Sequence, residues 1–589
     1  MKLEKQNLIE SFENINDYSA MQKTFSPFYS NIGFEIQPEN EGTGALWLHY
    51  NRSSRRVWNN FLSFPLKQNK ELTSAFAVAF GEKDKTAYLT FTDTDTVYFS
   101  SENLPRAELF KESDEKLHSF WIESINEKEI EIFGYSENTD GRDPDETVPF
   151  YIYLKALCGE FRSEEKNIFA LADNSGKTII SAAFEILEID RKNAQKKVEN
   201  APENFDLAKE KCKEFYLECF DNFSVGIKSE EEEKIIAKAA YGLTANLAKA
   251  PGNLKNNISS FPNRGSYPSH FLWDTCFQNL AYEKFSMPLA KEFLLQLADN
   301  QRPDGKIPQF LCSTWVRPHY TQPALVGWAT MRIAEKDGDK DFLSKMLNVI
   351  EKNNEWWLAS RNSECGLISC PHGLETGQDD SPRFDSGTTF ACDMNSYVLH
   401  QLHCAAELNR ILGNESKSRM WEEKAEKLSQ KIVEILWCEE DGIFYDVLPE
   451  SGEFVKIVSP VSFLPLWAGV KLPKEKADKS IKKYLLDSDY LFGEIPFPSV
   501  AYNDMNYGSD KWWRGPTWMP NAYLMLEMLH KTGYEAEEKQ AMERLYDVML
   551  KDKELHELFD SKTGAGLGAA EQGWTNAIFI KFCSVLNRG

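Results

Sequence analysis

The sequence predicts a multidomain β + α chain, an N-terminal antiparallel β-sandwich followed by an (α/α)6 barrel. Three observations carry this expectation. Residues from about 30 to 190 form short aromatic and β-branched runs separated by turn residues. Near residue 192 the texture becomes charged and helical in period. From about 229 onward, long amphipathic segments dominate. The expected divisions are 1–195 for the sandwich, 196–228 for a helical linker and 229–589 for the barrel.

In chain order, GALWLHY, SAFAVAF, AYLTFTDTDTVYFS, SFWIESI, IEIFGY and FYIYLKA are the strand candidates, and no catalytic cluster lies among them. RKNAQKKVENAPENFDLAKEKCKEFYLECF reads as the linker region. Beyond it, segments such as EEEKIIAKAAYGLTANLAKA, PLAKEFLLQLADNQ, DMNSYVLHQLHCAAELNRILG and NAYLMLEMLHKTGY place apolar residues at intervals of three and four. These segments come in pairs, an apolar one followed by a more charged one, with loops rich in Trp, Gly, Pro and Asp between pairs. An inner apolar ring wrapped by an outer charged ring is an α/α toroid. Close to a dozen helices suits six hairpins.

Bulk composition narrows the function. A chain of 589 residues exceeds one ordinary core, and 42% hydrophobic residues with 13% aromatics mark it as folded. The net charge of -24 argues against nucleic acid, anionic membranes and polyanionic substrates, so a neutral substrate fits best. Several of the fifteen tryptophans sit beside Gly, Pro, Asp or Arg, a setting that suits sugar rings, while others fill the core. The opening MKLEKQNLIESFENINDY has no apolar core, and no apolar run approaches the roughly 20 residues of a membrane span. Eleven scattered cysteines, with Cys158, Cys276, Cys392 and Cys583 in apolar surroundings, read as reduced thiols of a cytoplasmic protein. The nine histidines show no metal-ligand spacing, so no metal or cofactor is expected. Oligomeric state is left open.

Four loops carry the chemistry-bearing residues. In YPSHFLWDTCF, Asp274 either caps a helix or accepts sugar hydroxyls, with the Trp273 indole against the ring. HGLETGQDDSPRFD crowds Glu375, Asp379, Asp380 and Asp385 onto a turn where Gly377 permits an unusual backbone angle and Pro382 stiffens the exit. Such crowding raises at least one carboxyl pKa, as a general acid at neutral pH requires. A solvated acidic turn is the plainer alternative. In NYGSDKWWRGPTWMPN, Trp513 or Trp518 can stack on a sugar, and Arg514 can bind a hydroxyl or hold a carboxylate. In HELFDSKTGAGLGAAEQGWTNA, Glu557 precedes a Gly-rich turn and Trp574. GAGLG lacks both the preceding strand and the GK[ST] of a phosphate loop.

Asp379 and Glu557, on loops at one face, can flank a single bond, the arrangement that glycoside hydrolysis needs. A gap of roughly 6.5–9.5 Å admits a water and inverts configuration, and a gap of about 5–5.5 Å retains it.

FLWDTCF, LETGQDDSPRFD, DMNSY, WWRGPTWMPN and ELFDSKTGAGLG…GWTNA occur in the order found in glycoside hydrolase family 63, which the chain resembles over residues 260–585. The resemblance implies an (α/α)6 barrel and inverting hydrolysis of an α-glycoside, without metal. Asp379 matches the general acid and Glu557 the general base. Trp273, Asp274, Gln322, Trp513, Arg514, Trp518 and Trp574 match the sugar pocket, although Ala324 replaces the second proline of a Gln-Pro-Pro segment. Glu571 rivals Glu557 as base, and Asp380 rivals Asp379 as acid. The leading expectation is an exo-acting α-glucosidase on a small neutral oligosaccharide or glucoside. The alternatives are an inverting sugar phosphorylase, or a non-catalytic sugar-binding protein on the same fold.

Overall fold

The structure, a computed structural model, describes residues 2–15, 27–28, 30, 32–37, 43–48, 63–82, 84–110, 118–137, 147–164 and 167–587. The chain divides into two compact units, Met1–His270 with Cys312–Trp315, and Phe271–Leu311 with Val316–Gly589.

The first unit is sheet-rich. Its largest sheet has seven antiparallel strands: β1 (Val78–Glu82), β2 (Lys85–Asp93), β3 (Thr96–Glu102), β4 (His118–Ile125), β5 (Glu129–Glu137), β6 (Thr147–Cys158) and β7 (Lys177–Ile186). Their order across the sheet is β1-β2-β3-β7-β6-β5-β4. Two three-stranded sheets accompany it, one from Arg106–Phe110, Glu160–Glu164 and Asn167–Leu171, the other from Ile32–Gln37, Thr43–Leu48 and Ser63–Lys67. The parts of the sandwich expectation that fall on 49–62, 111–117 and 138–146, including the last two residues of GALWLHY, lie outside the described residues.

Phe150, Tyr151, Ile152, Tyr153 and Leu154 are all buried, so the middle of β6 is covered on both faces. One cover is helical. Helix α1 (Arg191–Glu199) sets Ala194 and Val198 against Tyr151, Tyr153 and Ala183, and α2 (Phe205–Cys219) lies on β2. Asp190 caps α1 by accepting the Asn193 N–H, and Asn204 caps α2 through Leu207. The charged stretch read from sequence as a linker thus also roofs the sheet. Helix α3 (Glu230–Ala245) belongs to the same compact unit.

The second unit is a helical barrel. Its helices are α4 (Leu272–Phe285), α5 (Met287–Asp299), α6 (Val326–Ala334), α7 (Lys340–Ser360), α8 (Cys392–Ile411), α9 (Glu415–Leu436), α10 (Leu464–Ala468), α11 (Lys474–Ser480), α12 (Met519–Thr532), α13 (Glu535–Asp552) and α14 (Gly573–Leu586). Helices α4, α6, α8, α10, α12 and α14 each pack on the next, and α14 returns to α4, closing an inner ring. Sequence texture explains who goes inside. Nearly every residue of α4 is buried, whereas α9 buries only the stripe Ser418, Trp421, Ala425, Leu428, Ser429, Ile432 and Leu436. Each inner helix is followed by a returning outer or connecting segment, so the inner helices run the same way and their N-termini share one end. The chemistry-bearing loops enter the ring at that end.

Candidate active site

Four tryptophans gather where α4, α12 and α14 begin. The Trp273 ring centroid lies 6.3 Å from that of Trp513 and 5.8 Å from that of Trp574. Trp518 stacks on Trp513 at 3.7 Å with 8° between the planes and lies 6.0 Å from Trp574. All four are buried, and Trp513 and Trp518 each give one face to the other. Trp512, which sequence reasoning passed over, is the partly exposed member of the run. It meets Trp518 edge-on at 5.0 Å and has a φ of +31°, a conformation that bulky residues rarely adopt.

The acidic loop is fastened to this cluster. Gly377 has a φ of +77°, and a Cβ there would stand 2.6 Å from the Trp273 ring, so glycine is required on both counts. Asp380 accepts the Trp513 backbone N–H at 3.0 Å. Arg514 makes a two-pronged pair with Asp385 at 3.1 and 2.6 Å. Glu375 is buried and paired with Arg361 at 2.8 Å. Three of the four loop carboxylates therefore have a donor or cation of their own. Asp379 stays exposed. Partial burial raises the Asp380 carboxyl pKa and the charge of Asp379 adds to it, against the Trp513 N–H and Arg514.

Beneath the loop, Arg383 is 2% exposed and pairs with Asp393 of α8 at 2.6 Å and Asp446 at 2.8 Å. Burial works against its charge, but the two carboxylates outweigh it and raise its pKa. Sequence reasoning gave Arg361, Arg383, Asp393 and Asp446 no role. The partners of Arg383 stand 10 and 63 positions away, and no local pattern signals such pairs.

Glu557 is 3% exposed, and its Oε2 accepts the Ala569 N–H at 3.1 Å. Its backbone forms a bridge to Ala569 at 2.7 Å and accepts the Trp574 indole N–H at 3.0 Å. A Cβ at Gly568 would stand 2.6 Å from Glu557 Oε2, so the Gly-rich turn lets backbone approach the carboxylate. Asp274, also buried, is close enough to feel Glu557. Burial pushes its carboxyl well above the usual range, the Glu557 charge adds to this, and its own N–H and Gln322 work the other way. Gln322 also accepts the Trp273 N–H at 3.2 Å through Oε1. Asp274 is not the cap residue of α4, since that position is Phe271, with no side-chain cap. The rival Glu571 is buried with a φ of +53°, and its N–H donates to the Glu554 carbonyl at 2.7 Å.

Among the described residues no three His, Cys, Asp or Glu are grouped to hold a metal, and no helix is long and apolar enough to cross a membrane.

An (α/α)6 barrel with carboxylates and tryptophans gathered at the N-termini of its inner helices is the architecture of a glycoside hydrolase. A family model described as the mannosylglycerate hydrolase MGH1-like glycoside hydrolase domain matches residues 267–575. The chain belongs to this family. A Borreliella burgdorferi protein whose name assigns no activity is 26% identical over 186 residues, 32% of this chain and 38% of its own. The chain thus spans well under two thirds of that relative. A mannosylglycerate hydrolase of Rubrobacter radiotolerans is 22% identical over 404 residues, covering 53% of this chain and 90% of its own. The fold resembles that of the family 63 mannosylglycerate hydrolase of Thermus thermophilus in complex with glucose, with a TM-score of 0.52 and 21% identity. That likeness covers 59% of this chain and 99% of that one.

Proposed function

We propose that the chain hydrolyses a small α-glycoside with inversion, Asp379 serving as general acid and Glu557 as general base. The observation that carries this reading is the contact path between the two loops. Gly377, two residues before Asp379, lies on Trp273, Trp273 packs on Trp574, and Trp574 donates to the Glu557 carbonyl. Both carboxylates are thereby referred to one rigid aromatic cluster, as near-attack geometry needs. Glu557, held by a backbone N–H in a nearly dry setting, suits activation of a water. Among the described residues Asp379 has no ion pair, whereas a backbone N–H takes Asp380 and cations take Glu375 and Asp385, and it suits protonation of a departing oxygen. Trp273, Trp512 and the buried, protonation-prone Asp274 suit the sugar ring and its hydroxyls. Membership of a hydrolase family supports hydrolysis over phosphorolysis or binding alone.

The first substrate reading is a small α-glucoside. A second is an α-mannoside of glycerate, supported by the names of the curated relatives, which are 22–24% identical. Both readings meet one experiment. The wild type is screened on α-glucosides, α-mannosides and glycosylglycerates, with the first-formed anomer followed by NMR. A β-anomer released from an α-glycoside is expected, and an α-anomer would overturn inversion. Asp379→Asn and Glu557→Gln are each expected to lower kcat by about 10²–10⁴-fold, with aryl glycosides partly rescuing only the acid variant. Unchanged turnover in either variant removes that residue from its role.

A further inference from the structure

An edge of the seven-stranded sheet carries a cluster of aromatic rings, two of them largely open to solvent. In the antiparallel register Trp121 of β4 stands directly opposite Phe133 of β5, and Tyr135 lies two residues along on the same face. The three centroids form a triangle of 5.0, 5.9 and 5.5 Å sides. Trp121 is 44% exposed and Tyr135 38%, values far from those of core rings. Helix α1 covers the neighbouring Tyr151 and Tyr153, and Phe133 packs against that cluster while staying partly buried at its margin.

A polar rim lies along that margin. Arg191, the first residue of α1, sits over the Tyr151 ring at 5.1 Å and over Phe133 at 6.0 Å. It pairs with Glu123 at 2.6 Å and lies 3.9 Å from Glu131. Glu131 in turn accepts the Tyr151 hydroxyl at 2.8 Å and the Ser124 hydroxyl at 3.0 Å. These charged groups hold each other in fixed orientations while keeping solvent-exposed atoms, two carboxylates against one guanidinium.

We propose that Trp121, Phe133 and Tyr135, with Glu123, Glu131 and Arg191 beside them, form a non-catalytic binding face for a neutral glycan chain. A pyranose has an apolar C–H face and a rim of hydroxyls, and aromatic faces bordered by carboxylates and a guanidinium match both parts. Size favours a sugar over a protein. The ring triangle spans about one sugar residue, whereas a specific protein interface needs roughly 800 Å² from each partner. The neighbouring Ile122 alternates to the opposite face of the strand and does not enlarge the patch. A rim with one carboxylate in excess disfavours an anionic ligand. The proposal rests on membership of a glycoside hydrolase family and not on the roles given to Asp379 and Glu557.

The test is native affinity electrophoresis of the full chain in gels cast with soluble starch, glycogen or galactomannan. Sedimentation of the same samples and turnover of the best small glycoside are measured in parallel. Retardation of the wild type by at least one glycan is expected, with Trp121→Ala and Tyr135→Ala each weakening it about fivefold or more. Small-glycoside turnover is expected to stay unchanged. Because both side chains are exposed, far-UV circular dichroism should match the wild type. No retardation of the wild type, or equal retardation in the variants, overturns the proposal. So does self-association lost in Trp121→Ala, which would make the face a protein interface. A change in small-glycoside turnover would also overturn it, by making the strip part of the catalytic site.

Discussion

Gly377 and Trp273 are in contact so close that no side chain fits between them: a Cβ at 377 would meet indole carbons at 2.6 and 2.9 Å. The backbone that carries the proposed acid is therefore set by an indole on another element. Substituting Gly377→Ala adds this clash to the strain of a φ of +77°. Displacement of the loop by a fraction of an ångström is expected to lower kcat about 10²-fold, with a smaller change in KM. Steady-state kinetics beside a thermal melt will check this, and wild-type kcat would show that the contact does not position the loop.

Gly568 plays the corresponding part for Glu557. An alanine there would press on Oε2 from 2.6 Å, in a backbone conformation with φ +73°. Gly568→Ala is expected to reduce kcat at least about tenfold and to destabilise the fold by about 1 kcal/mol or more. Activity together with urea unfolding followed by tryptophan fluorescence separates the two effects.

The buried charge group at Arg383 makes a prediction about stability. Removing one member of such a group leaves the others buried without their counter-charge, at a cost of about 3–5 kcal/mol. Arg383→Met is expected to lower the urea midpoint accordingly. Adding Asp393→Leu and Asp446→Leu should recover much of the loss, because the orphaned charges then disappear. If the single variant unfolds like the wild type, the group does not hold the loop.

Asp274 ties stability to pH. Its folded pKa is raised above the ordinary value of 3.8, chiefly by burial. Its contribution to stability is thus fully present below about 3.8 and is lost as pH rises through the folded value. Asp274→Asn removes the titration, so its melting temperature should fall less than the wild type's between pH 4 and pH 7. Parallel slopes for the two proteins would show that Asp274 is ionised throughout.

His400 has the opposite sign. Its ring lies flat on Trp467 at 4.2 Å, and burial, with Lys531 and His403 adding, lowers its pKa well below 6.5. That contribution is present above pH 6.5 and lost as pH falls below it. His400→Gln should therefore lose less stability than the wild type between pH 7 and pH 5, as read by thermal melts.

Much of this was legible in the residues. Periodicity marked the helices of the barrel, because which face of a helix is buried is written into spacings of three and four. The loops announced themselves through glycine, tryptophan and acid in combination, and Gly377 and Gly568 prove to be places where backbone must come close to a ring or a carboxylate. Crowding of the acids was also legible, although its effect falls on Asp380.

The pairings were not legible. Glu375 looked like one more crowded acid, yet it is occupied by Arg361, and which carboxylate Arg514 holds, Asp385, was not written in the sequence. Trp513 and Trp518 each looked free to stack on a sugar, and they stack on each other. Sequence by itself determined which segments turn inward and where the chemistry-bearing loops lie, since both follow from local composition and period. Only the tertiary structure decided which loop carboxylates are taken by a donor or a cation. Ion pairs and ring contacts join positions tens to hundreds of residues apart, and such encounters leave no mark on the local pattern of the chain.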